Sequence, residues 1–179
     1  MMKDQFCFLA WARSARRLVV PLGLLAGVIL GARGSTLSVT NTNDGGPGSL
    51  RQAILDHNAQ SGEDRIAFRI PGTDLKTIAP VTDLPDLAGS VTLDGFTQPG
   101  SAPNTSATGS NAVLLIELRG PGGGGDGLRL TGSGTVRGLV VDGWNGTADS
   151  AGIHFTSVAG AGRVRGCHIG TNAPGTAAR

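Results

Sequence analysis

Three acidic residues stand at or near glycines that close short strand-like segments. Asp94 precedes Gly95, Asp142 precedes Gly143, and Glu117 lies just ahead of Arg119-Gly120. Two carboxylates about 5–10 Å apart can cleave a glycosidic bond, one as acid and one as base or nucleophile. Neighbouring parallel strands, about 4.8 Å apart, would bring such residues within that range. The same oxygens suit Ca²⁺. Asp-Gly is also a turn dipeptide in which the Asp side chain bonds its own backbone, and the sequence favours that turn chemistry over catalysis or calcium binding. A lyase would want a Lys or Arg base beside a metal, and Lys76 is the one lysine after the leader.

Phe96 and Trp144 each follow one of these closing glycines. Two aromatic rings at equivalent corners would form a platform on which sugar rings stack; packing beneath a neighbouring loop is the competing reading. His57, His154 and His168 do not have metal-ligand spacing, so no metal site is assigned. His57 reads as a helix-end residue, and His154 as an outward residue between inward Ile153 and Phe155. The run Pro121 to Gly125 lacks the Lys-Ser/Thr and helix of a phosphate loop.

The elements that must position these residues recur. Gly95, Gly120, Gly143 and Gly170 follow one another at about two dozen residues, a period typical of stacked repeats. Within each unit apolar residues alternate with polar ones: Leu128 and Leu130 flank Arg129, and Ile153 and Phe155 flank His154. That period of two is a strand with one face inward. Val136, Leu139, Val140 and Val141 align with Val164, Cys167, His168 and Ile169, with Gly138 and Gly166 in a shared slot. Asn145 and Asn172 follow their closing glycines at the same distance, which predicts an asparagine ladder between rungs. Long apolar stretches at helical period are absent after Ser61, so a coiled parallel β-structure is the predicted architecture.

The first 34 residues differ in kind. Lys3, Arg13, Arg16 and Arg17 precede the apolar run Leu18 to Ala32, which ends in small residues. This is the pattern of a secretory signal peptide. Ala32 and Gly34 occupy the −3 and −1 positions of a cleavage before Ser35. The run is too short to span a bilayer, so no stable membrane span remains once the leader is removed. The whole chain carries 15 basic and 13 acidic residues. Without Lys3, Arg13, Arg16, Arg17, Arg33 and Asp4 these become 10 and 12. The mature chain is slightly acidic and no basic run is interleaved with aromatics, which argues against nucleic acid as a partner. Cys7 lies in the leader, leaving Cys167 alone as a small core residue.

Between leader and repeat, Thr36 to Thr40 alternates as a strand. Asn41 to Gly48 is a dense turn, and Ser49-Leu-Arg-Gln52 forms a capping box that opens a helix ending near Asn58. Leu50, Ala53 and Ile54 give that helix one apolar face, suited to covering the first rung of a stack. Ile66–Ile70 and Val91–Asp94 read as strands divided by the link Pro80 to Pro85, and Gln98 to Asn111 reads as a polar loop.

Val39 to Ile54, with its Asn-Thr-Asn-Asp-Gly-Gly-Pro-Gly-Ser-Leu-Arg-Gln core, resembles the N-terminal motif of bacterial exported right-handed parallel β-helix proteins related to the CSLREA-type domains. Val91 to Gly100, Leu115 to Leu118, Val136 to Val141 and His168 to Asn172 are similar to that family's successive rungs. The resemblance implies an all-β, pectin-lyase-like right-handed parallel β-helix with a short N-terminal capping α-helix. It implies a signal peptide over 1–34, an N-terminal cap over 35–89, and rungs over 90–179 whose C-terminal end is uncapped. It implies export to the cell surface, the periplasm or the medium, and it implies no definite reaction. The leading functional expectation is a non-catalytic structural, adhesive or carbohydrate-binding module, with polysaccharide or other surface proteins as partners. A polysaccharide lyase or glycoside hydrolase, using Asp94, Glu117 or Asp142, is the alternative. The third is a truncated remnant of a larger surface protein. Relatives continue with more rungs where this chain reaches Arg179, so end-to-end self-association through the last rung is also an expectation. No cofactor is expected beyond the calcium considered above.

Overall fold

The computed structural model of the chain describes residues 34–156 and 162–179. The expected leader over 1–33 lies outside them; residues 34 onward belong to one compact unit. The described part is built mostly of strands in parallel sheets with one helix of some length, an all-β architecture.

The strands are β1 (Thr36–Val39), β2 (Glu63–Phe68), β3 (Lys76–Ile78), β4 (Ser90–Asp94), β5 (Ile116–Arg119) and β6 (Leu128–Leu130), then β7 (Gly134–Arg137), β8 (Val140–Asp142), β9 (Ile153–Phe155), β10 (Gly162–Arg165) and β11 (His168–Ile169). They form three sheets. The first runs β1-β2-β4-β7-β10, the second β3-β5-β8-β11, and the third pairs β6 with β9. Every strand pair is parallel. A parallel bridge from Leu87 to Leu130 extends the third sheet by one position. From β2 onward the chain therefore visits first, second and third sheet in the same order, layer after layer. Each pass adds one strand to the first sheet and one to the second, and the two middle passes add β6 and β9 to the third.

Register explains the core. Ile66, Leu93 and Val136 are cross-strand neighbours in the first sheet, and Ile78, Leu118 and Val141 in the second. All six are at most 1% exposed. Leu87, Leu128 and Leu130 line the third sheet and are equally hidden. Each fully buried aliphatic side chain contributes about 1.5–3 kcal/mol, and the three columns converge with Phe68 on one continuous core. The alignment of Val136, Val140 and Val141 with Val164, His168 and Ile169 is the observed register. Leu128 and Leu130 likewise pair with Ile153 and Phe155.

The helix α1 spans Leu50–Asn58 and buries Leu50, Ala53, Ile54 and His57. Ser49 Oγ accepts from Gln52 N at 3.1 Å, the first half of the capping box. The return bond is missing, because Gln52 Nε2 donates along the helix to Asp56 Oδ1 at 2.8 Å. Sequence reading overlooked β3, whose three residues follow the turn Pro71-Gly-Thr-Asp74; it places Lys76 in the second sheet, opposite Ile116. It also read Gln98 as loop. The side chain is buried and copies a strand, with Oε1 accepting from Ile70 N at 2.9 Å and Nε2 donating to Ile70 O at 2.7 Å.

Two expectations require correction. The four closing glycines do not form one series. Asp94 pairs with Arg137 and Arg137 with Arg165, so Gly95 corresponds to Gly138 and Gly166 at the end of the first sheet. Arg119 pairs with Asp142, so Gly120 corresponds to Gly143 at the end of the second sheet, and Ile169 pairs with Val141, which sets Gly170 opposite Asp142, one position earlier on the same sheet. Nor do Asn145 and Asn172 form a ladder. Asn172 Oδ1 instead accepts from Thr176 N at 2.8 Å and Ala177 N at 3.1 Å, closing its own turn.

Candidate anion-binding cleft

The two glycine series redistribute the candidate residues. Asp94 sits on the first sheet, whereas Glu117 and Asp142 sit on the second, so the three carboxylates do not share an edge. Phe96 and Trp144 are separated for the same reason. Trp144 is 9% exposed and belongs to the apolar core. Phe96 is partly exposed on the rim of a cleft.

Asp94 is fully buried and held by two guanidinium groups. Arg137 donates to Oδ2 at 2.5 Å and Arg65 to the same oxygen. Asp94 Oδ1 accepts from Phe96 N at 3.2 Å, so the residue also does the turn work its dipeptide suggests. Burial alone would push its carboxyl upward, but the hydrogen bonds from Arg137 and Arg65 and their charge hold it below the usual range. An anion pinned by two arginines is a poor proton donor. Arg137 is held above its ordinary value by the same contact.

Around this pin lies a row of outward residues contributed by alternate positions of successive strands. Arg137 stands opposite Arg165, and Thr135 opposite Arg163. Arg65 stands opposite Thr92, and Thr92 opposite Thr135. The row walls a cleft of about 580 Å³ lined by Arg65, Asp94, Phe96, Asn104, Arg137 and Arg165. An adjoining cleft of about 420 Å³ is lined by Arg65, Arg137, Arg163 and Arg165 together with Thr92 and Thr135, and at one edge by the acidic Glu63 and the buried Asp64. Ligand pockets commonly have volumes of this order. Among the described residues neither Arg163 nor Arg165 forms an ion pair, and Arg137 Nε is buried without a hydrogen-bond partner. Phe96 lies across the glycine slot: a Cβ at Gly138 would meet its ring at 2.8 Å, and one at Gly166 at 3.0 Å. The apolar ring thus rests on bare backbone beside the arginines.

The second sheet presents a different arrangement. Glu117 and Asp142 are 1% and 3% exposed. Glu117 Oε2 accepts from Thr77 Oγ1 at 2.5 Å and from Arg119 at 2.8 Å. Arg179 reaches across both, 3.5 Å from Glu117 Oε1 and 3.5 Å from Asp142 Oδ2. Burial and the neighbouring Glu117 charge push the Asp142 carboxyl upward, against the opposing pull of Arg119 and Arg179. The adjacent space is about 80 Å³, well below a sugar pocket. Two carboxylates are therefore together here, but beneath guanidinium groups and closed to a polymer.

The histidines are dispersed. His57 is buried in the first layer, with Nδ1 2.8 Å from Asp64 Oδ2 and Nε2 2.6 Å from Ala88 O. It is a core tie rather than a simple helix-end residue. His154 Nδ1 lies 2.6 Å from Asp126 Oδ2, and His168 Nδ1 2.9 Å from Ala173 O. No three His, Cys, Asp or Glu side chains converge among the described residues. Cys167 packs against the core, and burial pushes its thiol upward.

The arginine row is the feature that linear reading missed. Its signal is present in Thr135-Val-Arg-Gly138 and Arg163-Val-Arg-Gly166, where every second residue is polar and points outward. The basic residues lie far apart in sequence, and only the stacking of β2, β7 and β10 gathers them. No family model, no curated protein and no solved structure matches the chain.

Proposed function

We propose that this protein is an exported right-handed parallel β-helix, covered at its front by α1, and that it binds an anionic polysaccharide without cleaving it. The repeated order of the three sheets and the resemblance of its sequence to pectin-lyase-like exported proteins support the architecture. The polarity of the apolar run ahead of Ser35 supports export. The observation that carries the binding function is the surplus of positive charge on the outer face of the first sheet. Arg65 and Arg137 share one carboxylate, while Arg163 and Arg165 have none among the described residues. Like charges directly opposite on neighbouring strands are destabilising, and carboxylate or sulfate groups spaced along a polymer would relieve the repulsion. Arginine offers a planar fork of donors for such groups, and the ring of Phe96 offers a sugar an apolar face.

Retention of the protein on immobilised uronate or sulfated polysaccharides, compared with neutral glucans, tests the proposal. Retention on the anionic polymers alone, weakening as salt rises, is expected. Equal retention on neutral polymers, or release of shortened products from any of them, would overturn it.

A further inference from the structure

At the edge of the second cleft, beneath the front of the fold, lies a buried carboxylate that pairs with none of the cleft's arginines among the described residues. Asp64 is 2% exposed. Its Oδ2 faces His57 Nδ1, and its Oδ1 accepts from both Ser35 N at 2.7 Å and Ser35 Oγ at 2.9 Å. The Ser35 nitrogen is fixed there by the ladder, because Ser35 O accepts from Arg65 N at 2.8 Å. Residue 34 runs so close to β2 that a side chain on it would collide with the Glu63 carbonyl, so only glycine fits. Glycine is also a residue that leader processing accepts at the −1 position.

We propose that the Gly34–Ser35 bond is the processing site of the leader and that the α-ammonium freed on Ser35 is captured by Asp64. This rests on the exported reading above. Hydrolysis adds water across the amide: Gly34 keeps the carboxylate, and Ser35 keeps the nitrogen, which takes up a proton at neutral pH. A bond already charge-assisted by the carboxylate thereby becomes an ion pair, with a full positive charge on the donor. The site is a receptor for the chain's own new terminus, and processing tightens the first layer of the stack. A buried carboxylate needs such partners, since an unpaired one is costly to desolvate.

The full chain, leader included, is expressed in an exporting bacterium and the recovered protein is weighed intact. A mass beginning at Ser35 is expected. A mass beginning at any other residue of an exported chain overturns this inference and leaves export standing, whereas an uncut chain retained inside the cell overturns both. The processed protein is then acetylated with a succinimidyl ester at neutral pH. The Ser35 amine in the folded protein should react about tenfold more slowly than in urea, equivalent to one pKa unit of protection, and Asp64→Asn should abolish the difference. Equal rates in the folded protein and in urea overturn the proposal. If Asp64→Asn does not fold, a Lys76→Arg protein, whose one reactive amine after processing is that of Ser35, acetylated in urea and refolded provides the check. Acetylation keeps the N–H but removes the charge, so its urea midpoint must fall; an unchanged midpoint overturns the capture.

Discussion

Arg137 and Arg165 stand directly opposite each other on adjacent parallel strands, and only Arg137 has a carboxylate partner among the described residues. Cross-strand like charges cost a few tenths to about 1 kcal/mol. In the absence of ligand, Arg165→Thr should therefore leave stability unchanged or raise it by up to about 0.5 kcal/mol. Urea unfolding measures this, and a clear loss of stability would show that Arg165 has a structural partner.

Asp94→Asn removes the counter-charge of two guanidinium groups. Breaking a fully buried pair costs about 3–5 kcal/mol. Both arginines are more than two-fifths exposed, so about 2 kcal/mol is the expected loss at pH 7. The carboxyl is held below its unfolded value of 3.8. Its contribution is complete above that pH and is lost as pH falls through the lower folded value. Native and variant stability curves should converge at the acid end.

Asp142→Asn should act in the opposite direction. Burial and Glu117 raise its carboxyl above 3.8 in the folded state. Ionising it therefore costs stability as pH rises through the folded value, and below 3.8 the cost vanishes. The variant should be at least as stable as the native protein at pH 7, with no advantage near pH 3. Chemical unfolding at the two pH values distinguishes this from a net attractive role for Arg119 and Arg179.

Gly138→Ala combines two penalties. Gly138 has φ +69°, which costs an alanine about 1–2 kcal/mol. Its Cβ would also press on the Phe96 ring at 2.8 Å. A loss of about 2–3 kcal/mol in a thermal or urea melt is expected. The displaced ring should also weaken polysaccharide binding in whatever fraction remains folded.

Local pattern made much of the fold legible. Alternation at Leu128-Arg129-Leu130 and Ile153-His154-Phe155 identified strands, Gly138 and Gly166 marked the shared corner after β7 and β10, and Ser49 marked the start of α1. The phase of the repeat was not legible. Gly95 and Gly120 look alike in sequence, but one ends a strand of the first sheet and the other a strand of the second. That single slip placed Asp94 with Glu117 and Asp142, and Phe96 with Trp144. The cleft was hidden for a related reason. Arg65, Arg137 and Arg165 come from three layers, and their convergence depends on register, which sequence spacing alone does not supply. His57 and Asp64 illustrate the same limit: nothing local distinguishes an exposed helix-end histidine from one buried against a strand.

Binding of a polyanion on the outer face of the first sheet would fall to Arg163 and Arg165, which have no carboxylate partner among the described residues. Calorimetric titration of a uronate or sulfated oligosaccharide into the native protein and into an Arg163→Ala, Arg165→Ala double variant tests it most directly. Both side chains are exposed and neither makes an ion pair among the described residues, so the variant should fold normally. Loss of two charge-assisted contacts should weaken binding by about tenfold or more. Unchanged affinity in a folded double variant would contradict the account.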